Sequence, residues 1–431
     1  MPHPVFNVNV WDFGANPAAW RSSRLGARAN LDPAYWREIA GLLERGGFQA
    51  LFLADSPSLN EEPQIRPTRF LEPCTIQAAL AGSTSRLGLI ATMSSTFNDP
   101  VDLAEQALLL DAVSGGRFGV NMVTTTSPIA ARLFGHAGHP DRAVRYARAF
   151  EFVQVFRDYW TARRRGEGFC FKGRFFRYDI ADGPPLDVPA EPFLLQAGGS
   201  AEGAGLAGRF AHAVFAAEMQ KEAAIANRKA VRDAAAACGR PPPRYLPGLT
   251  ACLGSTREEA RRNFEAFQHL GAPDFLLRHL NKLLDLSIGA EDLDTRAVAY
   301  FDRFDVTAPT SGGSMGFRKS VYAFAAEGDL SLRQLLQHFG AFGHQIVFGT
   351  PQDVADLIED WYRAGACDGF NIIPDVFPSG LERFIDHVLP LLTRRGLFRH
   401  PDDGGVSLFG RGRYESAAPP GEGRPARDAV A

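Results

Sequence analysis

The chain has 431 residues, 45% hydrophobic and 22% charged, enough for one large domain or two medium ones with a substantial core. A formal net charge of −3 favours neither nucleic acid nor an anionic membrane surface as partner. The five cysteines (Cys74, Cys170, Cys238, Cys252 and Cys367) form no C-x-x-C pair and no even framework, as in a reduced cytoplasmic protein. Met1-Pro-His-Pro4 lacks the regions of a signal peptide and no apolar run reaches membrane-spanning length, so the expected place is the cytoplasm.

In chain order, residues 6–11 (FNVNVW) alternate and read as a first strand. Asp32 and Pro33 open a helix to about residue 45, with the acid at the cap and proline at the first helical position. Residues 50–55 (ALFLAD) form a buried strand ending on a carboxylate, and a helix follows over 72–83. A third strand (87–93) leads through a polar exit to a helix opened by Pro100, and a fourth strand spans 117–124. A long helix covers 141–160, and residues 169–186 are irregular, with room for a small hairpin.

The fifth strand is the apolar run Phe193-Leu-Leu195, followed by a turn over Gln196-Ala-Gly-Gly199 and a helix over 201–208 capped by Ser200. Strands at 213–217 and 245–254 come next, separated by a helix that Gly239-Arg-Pro-Pro-Pro243 stops. Thr256 and Glu259 have capping-box spacing. From about 267 to 330 the periodicity breaks down around the tract Ser311-Gly-Gly-Ser314. That is too long for a plain connection, so an excursion over about 267–343 is expected to cover the site. Regularity returns at 345–349, then a helix over 351–364, an eighth strand at 369–374 and a last helix over 379–394. Residues 400–431 are rich in Gly, Pro and Ala and read as a disordered tail.

Eight alternations of strand and helix without a second nucleotide-binding half predict one α/β domain over 1–399, a (β/α)8 TIM barrel with an insertion after the seventh strand. Chemistry in such barrels sits at the carboxyl ends of the strands. There the chain places Asp55, Thr92, Ser94, Asn121, Thr124, Thr125, Gln196, Ser200 and Asn371. These are mostly amides and hydroxyls, which hydrogen-bond a large neutral heterocycle well and ligate a metal poorly. The strand, glycine turn and capped helix around Ser200 suit a phosphate, because the first N–H groups of a helix lack partners within it. Read as an ordinary strand-to-helix turn the same residues need no ligand; they match neither a P-loop nor the spaced-glycine dinucleotide fingerprint.

Several motifs together resemble one family. They are Trp20-Arg21, Phe52-Leu-Ala-Asp55, Thr92-Met-Ser-Ser-Thr96, Leu110-Asp-Ala-Val-Ser-Gly-Gly-Arg117, Asn121-Met-Val-Thr124, Arg145-Tyr146 with Glu151, and Gln196-Ala-Gly-Gly-Ser200. Pro247-Gly248, Gly349-Thr-Pro351, Asp368-Gly-Phe-Asn371 and Arg394-Arg-Gly-Leu-Phe398 continue the series in order. The set resembles the nitrilotriacetate and dibenzothiophene-sulfone monooxygenase group of the bacterial luciferase-like flavin monooxygenases.

The resemblance implies a two-component enzyme that takes FMN as FMNH2 from a separate NAD(P)H:flavin reductase. With O2 as co-substrate it would oxygenate a small organic molecule through a flavin C4a-(hydro)peroxide, and it would form a homo-oligomer, a dimer or a tetramer. By position it puts Asp55, Thr92 and Asn121 near the isoalloxazine ring, and Tyr146 with Ala197, Gly198, Gly199 and Ser200 at the phosphate. Phe13, Asn16, Thr125 and Phe317 become substrate-pocket candidates, with Phe97 and Phe324 as further apolar wall. Asn16 stands where many relatives carry His, and the tract 311–317, where several place another, has none, so no catalytic acid or base is assigned. His338 and His344 lie further on and are expected to cap or flank a helix.

A flavin- or deazaflavin-dependent dehydrogenase on the same barrel, or a non-catalytic flavin-binding relative, is the alternative. His136 and His139 lack a carboxylate partner at metal spacing, so no metal site is expected. There is no G-x-S-x-G elbow.

Overall fold

A computed structural model describes residues 3–16, 18–22, 26–55, 72–125, 127–270, 274–303, 315–339, 343–404 and 408. Strands β1 (Val5–Val10), β2 (Ala50–Leu53), β3 (Gly88–Ser94) and β4 (Phe118–Val123) are parallel neighbours. An antiparallel hairpin, β5 (Phe169–Lys172) with β6 (Arg177–Ile180), stands apart from them, as the irregular stretch allowed. The sheet continues through β7 (Phe193–Ala197), β8 (Ala213–Ala216) and β9 (Arg244–Leu253). After β10 (Gln345–Gly349) comes β11 (Gly369–Ile372), which pairs with both β9 and β1 and so closes an eight-stranded parallel barrel.

β10 is a ninth strand that pairs with the far half of β9, Leu249 to Leu253. The sequence marked residues 345–349 only as a return of regularity. Their strand character needs β9 to outlast its barrel neighbours by half its length, which is a tertiary fact.

The helix starts follow their capping residues. Asp32 accepts from the Ala34 N–H, Glu72 from Cys74 and Thr75, and Asp99 from Val101 and Asp102. In each case proline holds the first helical turn, where its missing N–H costs nothing. Alternation along the strands sorts the side chains. Phe6, Val8, Leu51, Leu53, Leu89 and Val120 face the helices, and Val5, Ala50, Phe52, Ile90, Leu195 and Leu246 fill the barrel's lower interior. Leu408 joins that lower cluster, so at least this residue of the expected tail packs on the barrel. Pro401–Asp403 form a turn of 3-10 helix, and the rest of the tail, 405–407 and 409–431, lies outside the described residues.

Helix Arg257–Leu270 starts where the Thr256–Glu259 capping box puts it. Beyond it, the stretch to β10 differs from its expectation of irregularity and holds helices Phe275–Leu284, Ala297–Phe301, Met315–Glu327 and Leu332–Phe339. Leu280, Leu284, Tyr300, Phe301, Leu335 and Phe339 give this unit a core of its own, into which Met219 reaches from beyond β8. The helices are short and amphipathic and their turns fall at uneven intervals, so no long repeat shows in the sequence. The Ser311 to Ser314 tract lies outside the described residues.

Candidate active site

The barrel register brings Thr92 of β3 directly beside Asn121 of β4. Both are buried inside the barrel, and Asn121 Nδ2 donates to Thr92 Oγ1 at 3.0 Å while the Thr92 hydroxyl donates to the Leu53 carbonyl at 2.8 Å. That chain fixes the orientation of the amide and leaves Asn121 Oδ1 buried without a protein donor. Gln196 Oε1, Thr250 Oγ1 and Asn371 Oδ1 are likewise buried without a protein partner, as are both the amide oxygen and the amide nitrogen of Asn7 and of Asn9. Asn371 Nδ2 is engaged by the Leu246 carbonyl at 3.0 Å. So many unmade bonds inside one barrel call for a polar partner from outside the chain, because an unpaired buried amide costs about 1–3 kcal/mol.

The phosphate-type turn takes the form its residues suggested. Ser200 caps helix Ala201–Phe210 by accepting from the Gly203 N–H at 3.1 Å, and its Oγ lies 3.1 Å from the Tyr146 hydroxyl. Gly198 has φ +147°, where a side chain would be strained. Tyr146 belongs to helix Arg142–Arg165, whose Arg145 reaches the Thr124 and Thr125 carbonyls at 2.9 and 3.2 Å. Thr125 in turn donates to Ser94 Oγ at 2.7 Å. Thr92, Asn121, Thr125, Tyr146 and the 197–200 turn therefore share the carboxyl end of neighbouring strands β3, β4 and β7. Asp55 follows β2 at that end, half-buried; burial raises the pKa of the nearby Cys74 thiol, with Glu72 and, least, the Asp55 charge adding to it.

The pocket candidates fare unevenly. Asn16 is buried, with Oδ1 on the Ala18 N–H at 2.9 Å and Nδ2 lacking a protein acceptor. Phe13 packs on Tyr35 at 5.6 Å among the buried side chains of the main core. Phe97 stacks on Phe134 at 5.0 Å beside His136 and His139, and Phe324 meets His338 in the helical unit. The side chain of Phe317 lies outside the described residues.

Sequence reasoning expected His344 to cap or flank a helix. It neither caps nor flanks a helix but enters the barrel mouth immediately before β10. Its ring stacks on Phe215 of β8 at 5.0 Å and 19° and meets Trp11 at 5.5 Å. Burial pulls its pKa down to about 4, against a smaller opposing influence of the Ala216 backbone, so the imidazole is neutral at pH 7. Gly248 of β9 lies flat against this ring: a Cβ there would collide with Nδ1 and the ring carbons. This explains the glycine of the Pro247-Gly248 motif. A signal was available for the interior amides as well, because Asn7 and Asn9 recur at period two within an apolar strand.

Among the described residues no cluster of His, Cys, Asp and Glu stands ready for a metal, and no helix is long and apolar enough to cross a membrane. The residues present fit a flavin. Its ring can meet the unpaired amides, and its anionic tail can meet a capped helix start behind a glycine turn.

Comparison with known proteins agrees. The luciferase-like monooxygenase family model matches residues 17–368. N-acetyl-S-(2-succino)cysteine monooxygenase of Bacillus subtilis (strain 168) is 33% identical over 416 residues, covering 91% of this chain and 92% of that protein. Nitrilotriacetate monooxygenase component A of Aminobacter aminovorans is 33% identical over 423 residues, with coverage of 91% and 92%. Among solved structures, EDTA monooxygenase from Chelativorans sp. BNC1 superposes with a TM-score of 0.75 at 30% identity, covering 96% of each chain. Motifs, barrel and matches together place the chain in the luciferase-like monooxygenase family, as a flavin-dependent monooxygenase.

Proposed function

We propose that this chain is the oxygenase component of a two-component system. It would use reduced FMN from a separate NAD(P)H:flavin reductase, and O2, to oxygenate a small organic substrate in the cytoplasm. The observation that carries this reading is the meeting of two halves at one barrel mouth. The Thr92–Asn121 pair offers an oriented amide for a heterocycle, and the Tyr146–Ser200 turn offers N–H and O–H donors for a phosphate. A relative that bears the name component A supports a second protein as partner.

When bound, reduced flavin supplies the oxygen chemistry. This chain's residues bind, orient and shield. Asn121 Oδ1 would hold the ring by accepting a hydrogen bond, while Thr92 keeps the amide from turning over. The 197–200 turn and the Tyr146 hydroxyl take the anionic tail, with Asp55 at the near rim. Trp11, Phe215 and His344 form an aromatic wall that keeps water out of the mouth. The described helices of the insertion, from Arg257–Leu270 to Leu332–Phe339, would cover the site from above. Substrate then lies between this wall and the Asn16 and Thr125 side.

The test combines purified protein, FMN, NADH and a heterologous flavin reductase with nitrilotriacetate, N-acetyl-S-(2-succino)cysteine and dibenzothiophene sulfone as probes. Oxygen consumption coupled to an oxygenated product is expected for at least one compound. Protein that retains FMN in neither redox form would overturn the reading, and oxygen-independent hydride transfer would replace it with a dehydrogenase.

A further inference from the structure

The phosphate turn has a second wall that neither the motifs nor the family match assigns. Glu218 lies two residues beyond β8 and is only 3% exposed. The Tyr245 hydroxyl of β9 and Asn227 Nδ2 of helix Lys221–Ala237 both donate to its Oε1, each at 2.8 Å. A Cβ built on Gly199 would have Glu218 Oε1 3.9 Å away, so the carboxyl faces the turn across the space of one added carbon. On the turn's other side stands the Tyr146 hydroxyl, and the Arg142–Glu202 pair, at 2.7 Å, marks the first turn of the helix. Burial raises the Glu218 pKa, while Asn227 and Tyr245, the polar groups that face it, pull it back.

A phosphate monoester carries about −1.5 to −2 charges at neutral pH. A buried carboxylate behind the same turn would repel it, and like charges in a dry site favour protonation of one of them. We propose that Glu218 makes binding of the phosphorylated tail depend on pH: it lines the inner side of the Gly199 turn and takes up a proton from solvent when a phosphate monoester is held there. With Oε1 engaged by Tyr245 and Asn227, Oε2 is the oxygen that carries the proton. The affinity for FMN over riboflavin then depends on pH through this one side chain. The inference rests on the flavin reading above, because it takes the turn as a phosphate site.

Calorimetric titration of the full chain with oxidised FMN and with riboflavin, at mildly alkaline pH in two buffers of different ionisation enthalpy, tests it. Wild-type protein is expected to take up about one proton with FMN and none with riboflavin, and its FMN affinity falls up to about tenfold per pH unit. Glu218→Gln keeps an acceptor for Tyr245 but loses the uptake and the slope. Should that variant not fold, the wild-type contrast between FMN and riboflavin still decides. FMN binding without uptake, equal uptake with riboflavin, or uptake retained in Glu218→Gln overturns the proposal and leaves the flavin reading intact. Failure of wild-type protein to bind FMN at all overturns both.

Discussion

The two sides of the barrel mouth are built differently. On one side, β3, β4 and β7 are consecutive in the sheet; Thr92 bonds to the Leu53 carbonyl at 2.8 Å and to Asn121 at 3.0 Å, and Tyr146 bonds to Ser200 at 3.1 Å. On the other, Trp11, Phe215, Gly248 and His344 come from four distant segments and meet through ring contacts and one bare glycine. The first side is directional, so losing a single bond weakens it gradually. The second is a matter of volume, and a single added carbon disrupts it.

The sharpest way to break that contrast is Gly248→Val. Overpacking against a ring already held by Phe215 and Trp11 should cost about 3 kcal/mol, read as a lower denaturation midpoint with an unchanged slope. The double variant Gly248→Val/His344→Ala should recover much of the loss, and strict additivity would refute the contact.

His344 also ties stability to pH. Its value near 4 in the fold lies below the ordinary 6.5, so the unfolded chain takes up the proton first as pH falls. The contribution is complete above 6.5 and drains away towards 4, a loss of about 3 kcal/mol. Denaturation curves across that window should show it, and His344→Phe should flatten the dependence.

On the directional side effects are smaller. Ser200→Ala removes the cap bond to Gly203 and the contact with Tyr146, and should cost about 1 kcal/mol of stability. Its FMN affinity, followed by flavin fluorescence, should fall about tenfold while riboflavin affinity changes less. Tyr146→Phe should be mildest, about threefold in FMN affinity with stability within about 0.5 kcal/mol of wild type. If Tyr146→Phe instead matched Gly248→Val, the two sides would not differ as described.

Much of the directional side is legible in the sequence because its signals are local. An N-cap serine, a glycine turn after an apolar run, and Thr92 or Asn121 near the end of its strand are each visible within about ten residues. The alternation of strands and helices carried the barrel in the same way, and Asp32-Pro33 and Pro100 marked helix starts that the structure reproduces. His344 was illegible, since a lone histidine before a short apolar run carries no sign of what lies above it. The packing of Phe13 was equally silent, because its partner Tyr35 lies on the following helix. Glu218 was silent too, because its partners Asn227 and Tyr245 lie on the next helix and the next strand.

What the sequence alone decided is the order of elements, their caps and the kind of groups at the strand tips, since propensity, capping and period-two burial act over a few residues. The tertiary structure decided which tips face each other, which amides are left without partners, that β10 joins β9, and that an imidazole from residue 344 rests on Gly248. Those outcomes depend on barrel closure and on volume shared between distant segments, and no local stretch of chain encodes them.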